Sequence, residues 1–168
     1  MRIIWYLLKC LEGEEADCVK QCQGLAGQVG IEEVICFQYQ RMLRYGGSWH
    51  LEKRIVLPGY IFLLESKTVC QKERKRENRN AVKLLTRSSL IPCNVSCLKE
   101  LCAEGNLIGM SFGMIQEGIP VVTQGPLKGR EHLIQRINRH KRTAEIEIRL
   151  AGRTERIVVG LEIYKKQK

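Results

Sequence analysis

At 168 residues, 44% hydrophobic and 27% charged, the chain has the composition of a folded protein and the length of one ordinary domain or two small ones. Lys and Arg outnumber Asp and Glu by 28 to 18, and residues 118–168 alone carry 12 basic and 5 acidic groups, a net charge of +7, against +3 for residues 1–117. That asymmetry points to a polyanionic partner at the C-terminal end. No stretch reaches the roughly 18 to 20 apolar residues that span a bilayer, and residues 3–8 are too short for a signal-peptide core before Lys9. A cytoplasmic location and no membrane partner are expected.

In chain order, residues 3–9 read as an apolar strand. Gly13-Glu14-Glu15 opens a helix in which Ala16, Val19, Lys20 and Gln23 recur at helical spacing, with acidic residues where the helix dipole favours them. Residues 33–44 read as extended, Gly46-Gly47 as a hairpin turn, and residues 49–64 as a returning strand interrupted at Leu57-Pro58-Gly59. Residues 67–79 lack an apolar face in their second half and read as an exposed helix end or loop. Residues 81–91 read as another strand and residues 96–103 as a short helix. The pattern predicts a βαββαβα domain with helices on one face of an antiparallel sheet.

Gly105, Gly109, Gly113 and Gly118 among short apolar pieces mark a domain boundary, with residues 109–117 as the linker. Beyond it, residues 119–123, 132–137, 144–150 and 156–159, with a terminal piece at 162–164, predict a small all-β barrel. Ala144, Ile146 and Ile148 alternate with polar neighbours, so Arg139-His140-Lys141-Arg142 falls at a connection. Four such residues cannot all enter a core, because unpaired buried charge is too costly.

The order of these features resembles the NusG family of transcription elongation factors. It rests on Trp5-Tyr6, the Gly13-Glu14-Glu15 helix start and Leu57-Pro58-Gly59-Tyr60-Ile61-Phe62 in the first half. In the second half it rests on Val121-Val122 before Gly125-Pro126-Leu127, then Gly129, Gly152-Arg153 and Val159-x-Leu161-Glu162. The resemblance implies an α+β NGN domain over residues 1–108 and a separate SH3-like KOW barrel over residues 118–168. The basic turn followed by Ala144-x-Ile146-Glu147-Ile148 looks most like the LoaP branch, whose members are processive antiterminators. That likeness implies a non-enzymatic monomer that holds the RNA polymerase clamp helices through Leu57, Tyr60 and Phe62, and an RNA hairpin in the nascent transcript through its barrel.

From charge and placement, the RNA-binding candidates are Lys128, Arg130, Arg136, Asn138, Arg139, His140, Lys141 and Arg142. If the 128–130 and 139–142 loops share one end of the barrel, they form a single cationic rim whose phosphate contacts bring salt dependence. An undistorted A-form major groove is too narrow for side chains, so the RNA expected is a hairpin opened by a bulge, mismatch or loop. The bland readings are a solvated basic surface for the loops and core packing for the aromatic residues. Three rivals stand beside this reading: a general elongation factor with a protein-binding barrel, a ribosomal KOW protein, and a cysteine- or metal-dependent RNA-processing enzyme. No P-loop, G-x-S-x-G, H-E-x-x-H or GxGxxG motif supports an enzyme. The eight cysteines lack paired C-x2-C spacing, and Cys93 and Cys97 are expected on one helix face as packing residues, so no metal or cofactor is expected.

Overall fold

The computed structural model describes residues 4–65 and 90–167; the expectations for residues 67–79 and for the start of the 81–91 strand lie outside them. The described residues form two compact units, one within residues 1–36 and 57–95, the other within residues 37–56 and 96–168.

In the first unit, β1 (Trp5–Lys9), β2 (Ile31–Ile35), β5 (Tyr60–Glu65) and β6 (Ile91–Cys93) form an antiparallel sheet in the order β2-β5-β1-β6. Helix α1 (Glu15–Val29) has Glu15 and Asp17 in its first turn and ends where Gly30 turns left-handed and its N–H donates to Ala26 O. Leu8, Val34, Ile61 and Leu63 form a core with Cys18, Val19 and Cys22 of α1 packed against it. The alternate residues Trp5, Leu7, Ile35 and Phe62 are buried as well. Burial of both faces explains why the two central strands, β1 and β5, are near-continuous apolar runs.

In the second unit, β3 (Gln38–Tyr45) and β4 (Ser48–Ile55) make a hairpin in register from Gln38↔Ile55 to Tyr45↔Ser48. Its turn uses Gly46 and Gly47, both at positive φ, the geometry that matches strand twist. β3 also pairs in parallel with the two-residue β7 (Leu107–Ile108), which follows the six-residue α2 (Ser96–Leu101). A five-stranded sheet then runs in the order β10-β11-β12-β8-β9, made of β8 (Ser111–Gln116), β9 (Ile119–Gln124), β10 (Ile134–Asn138), β11 (Thr143–Leu150) and β12 (Arg153–Gln167). β12 pairs antiparallel with β11 up to Gly160, then parallel with β8 from Leu161. Ala144, Ile146, Ile148 and Leu150 meet Ile157, Val159 and Leu161 in the core, the alternation expected of a half-buried sheet.

Gly160 explains the junction within this unit. A Cβ there would collide with the Gln40 carbonyl oxygen and with Met110 Sδ, so β3 approaches β12 only because the side chain is absent. Gly125 has a similar role at the first loop of the sheet. Its φ is 92°, and a Cβ would meet the backbone of Met110 and Ser111.

The expected α+β domain followed by a separate barrel is therefore incorrect. Among the described residues 57% lie in strands and 15% in helices, with three sheets and two α-helices. The hairpin expected to extend the first sheet instead pairs with β7 and lies in the same compact unit as the C-terminal strands. Tyr39 is the one buried side chain of the two hairpin strands, whereas the central strands β1 and β5 of the first sheet are buried on both faces. Residues 111–116 form β8 and carry ladders to both β9 and β12. The two pieces expected at 156–159 and 162–164 are one strand.

Replacing Gly160 by Ala should lower stability by about 1–3 kcal/mol through overpacking against backbone that cannot yield. Gly24→Ala, in the interior of α1 with open space around it, should instead stabilise by about 0.5–1 kcal/mol. Urea midpoints of the two variants should move in opposite directions.

Candidate nucleic-acid interface

The basic turn between β10 and β11 is built by short-range bonds. Asn138 Oδ1 accepts the Lys141 N–H at 2.9 Å, and the Arg142 N–H donates to Arg139 O at 3.4 Å with Arg142 at φ 50°. This Asx-type closure leaves Arg139, His140 and Lys141 exposed. Arg142 is used differently. Its guanidinium lies 3.6 Å from the Trp49 ring centroid and 3.3 Å from Glu162 Oε1. A partly exposed cation–π contact and a partly exposed ion pair contribute about 0.5–1 kcal/mol each at most. Together they are enough to direct one side chain toward β4 while its three neighbours face solvent.

The 128–130 loop is not part of the same rim. It precedes β10, whereas the basic turn follows it, and five strand residues separate the two by roughly 15 Å. Leu127 is fully buried and its N–H donates to Ser111 Oγ at 3.1 Å, which pins the loop. Arg130 donates from Nη1 to Pro126 O at 3.1 Å, while Lys128 is exposed.

Arg136, Asn138 and Lys141 instead converge with the hairpin. With Tyr39, Arg41, Thr143, Glu145 and Val158 they line a cavity of about 180 Å³. Tyr39 and Arg41 share a face of β3 by the two-residue period of a strand. Sequence reading missed both. The available signal was charge: residues 37–56 hold four basic groups and one acidic, and the whole second unit carries a net charge of +8 out of +10.

The Leu57-Pro58-Gly59-Tyr60 turn belongs to the first unit. Glu15, only 4% exposed, accepts the N–H of Gly59 at 2.7 Å and of Gly13 at 2.9 Å. Burial opposes ionisation of this carboxyl, but the Gly59, Glu15 and Gly13 N–H groups outweigh it and hold its pKa below the ordinary value. Leu57 and Tyr60 are half-buried, and Phe62 is buried at 1% exposure, so Phe62 presents no surface. Leu11, 67% exposed, follows Cys10, whose N–H donates to Gly59 O. It is an apolar neighbour of the turn that no motif revealed.

Cys93 lies in β6, not on the helix that carries Cys97. Burial, aided by Cys18 and Glu15, pushes the Cys10 thiol up to about 12, and burial chiefly pushes Cys22, Cys36 and Cys93 up to about 11. Such thiols stay protonated at neutral pH and are poor nucleophiles and metal ligands. Among the described residues no group of three or more His, Cys, Asp and Glu side chains is arranged for a metal, and no helix is long and apolar enough to cross a membrane.

No family model matches the chain. No curated protein matches it either.

Because the folded pKa of Glu15 lies below its unfolded value, its contribution is present above the unfolded pKa and is lost as pH falls through the folded one. Glu15→Gln should cost about 1–3 kcal/mol near neutrality. Urea denaturation should show that difference shrinking as pH falls below the ordinary carboxylate range.

Proposed function

We propose that this chain is a NusG-type antitermination factor, non-enzymatic and cytoplasmic, that associates with RNA polymerase and is directed to its targets by a structured RNA. The observation that carries the RNA part is the placement of Arg41, Arg136, Asn138 and Lys141 around one polar cavity beside exposed Arg139 and His140. A cationic surface of this kind supplies affinity through phosphates, and Arg and His side chains at its edge can reach bases where a bulge widens the groove. The concentration of +8 in one unit favours an RNA partner over a protein one.

The polymerase part rests on the resemblance of the Leu57-Pro58-Gly59-Tyr60-Ile61-Phe62 segment to its counterpart in the NusG family. Leu57 and Tyr60 make the contact with the clamp helices, and Phe62 contributes packing in the strand that begins at Tyr60. Holding the clamp closed disfavours the open states that lead to pausing and termination. A preference of about 1.4 kcal/mol changes the closed-to-open ratio tenfold. RNA binding raises the factor's local concentration at the polymerase that made the transcript.

Transcription by purified bacterial RNA polymerase tests both parts. The template should encode, upstream of an intrinsic terminator, a bulged stem-loop selected from a randomised RNA pool against the full chain. The protein should raise readthrough only when the stem-loop is present, and Tyr60→Ala should abolish that effect while leaving stem-loop binding unchanged. Readthrough that ignores the stem-loop, or absence of polymerase association, would contradict the reading.

A further inference from the structure

The cavity between the hairpin and the basic turn carries an unmet chemical demand. Arg41 Nε is shielded from solvent and has no hydrogen-bond partner among the described residues. Its cross-strand neighbour is Glu52, but that carboxylate is taken by Arg54 at 2.9 Å. Arg136 and Lys141 form no ion pair among the described residues, and Glu145 is the one acid in the lining. Three cations therefore face one carboxylate. A buried guanidinium N–H without an acceptor is costly unless something supplies the acceptor.

The other lining groups suit an anion with several oxygens. Asn138 uses its Oδ1 on the Lys141 N–H, which leaves its amide N–H groups as donors, and Tyr39 and Thr143 add hydroxyls. A space of about 180 Å³ is on the order of six water volumes. That accommodates a phosphate group with bridging waters. Arg forks bind phosphate bidentately, so the unmatched Arg41 Nε is the group such a ligand would satisfy.

We propose that this cavity seats a backbone phosphodiester of the bound RNA, with Arg41 as its principal ligand and Arg136 and Lys141 beside it. The hairpin of β3 and β4 is thus part of the RNA-binding surface. Glu145 offsets mutual repulsion of the three cations while the cavity holds no phosphate, and it opposes the phosphate when one enters. This inference rests on the RNA-binding reading above and deepens it.

The test is the affinity of the full chain for the selected bulged stem-loop, measured by fluorescence anisotropy across salt concentrations, with urea midpoints confirming that each variant is folded. Arg41→Ala should weaken binding about tenfold and flatten the log–log salt dependence by about 1. Arg41→Lys should keep the salt dependence but lose part of the affinity, because an ammonium lacks the planar fork. Glu145→Gln should tighten binding. Should Arg41→Ala fail to fold, Arg41→Lys and Glu145→Gln carry the decision. Wild-type affinity and salt dependence in the Arg41 variants, with binding still weakened by Arg139→Ala, would overturn the phosphate seat and leave the RNA reading standing. Weaker binding by Glu145→Gln would mean that the carboxylate reads base donors and would likewise overturn it. Failure of the wild-type chain to bind any selected stem-loop would overturn both.

Discussion

The close approach of β3 to β12 at Gly160 is the constraint on which the second unit depends. Backbone there lies where any side chain would have to stand, so the hairpin of residues 38–55 and the C-terminal strands share one unit. The cationic face depends on this approach. Tyr39 and Arg41 are distant in sequence from Arg136, Asn138 and Lys141, and the absence of one Cβ lets β3 come up to β12, in the sheet that also holds β11 and β10. Gly160 also marks the change of partner along β12, from antiparallel β11 to parallel β8, so one residue serves both the ladder switch and the approach.

Charge in this unit is sorted by how it is held. Arg142 has an aromatic ring on one side and a carboxylate within reach on the other, and its role is to tie the turn to β4. Arg139 and His140 have neither among the described residues and are exposed. Arg41 is the intermediate case, shielded but unmatched, which makes it the most informative cation of the set. Paired cations organise the surface, whereas unpaired ones attract a ligand. The first unit follows the same logic with opposite sign, since Glu15 is buried yet ionised because three backbone N–H groups point at it.

Much of the local structure was legible in the sequence, and the assembly was not. Gly46-Gly47 marked the hairpin turn, the alternation from Ala144 to Ile148 marked β11, and the acidic start at Glu15 marked α1, because each rests on short-range chemistry. The fold class was misread because which sheet a strand joins depends on long-range approach. The hairpin looks like a natural extension of the first sheet until the missing Cβ at Gly160 is set against Gln40. The candidate site shows the same division. The basic turn was found by its charge, but the expected single rim failed because Lys128 and Arg130 lie at the other end of β10. Phe62 was expected at a surface and is buried, since alternation in β5 says which residues share a face and not whether that face is covered. Arg41 was invisible as a site residue because its importance comes from a cross-strand partner already committed elsewhere.

The central claim is that the hairpin and the C-terminal strands form one surface for RNA. Ultraviolet cross-linking of the full chain to the selected bulged stem-loop, followed by mass spectrometric mapping of the cross-linked peptides, tests it most directly. The account predicts cross-links in two segments remote in sequence, residues 38–45 and residues 136–142. Cross-links confined to the second segment, or lying wholly outside both, would contradict it.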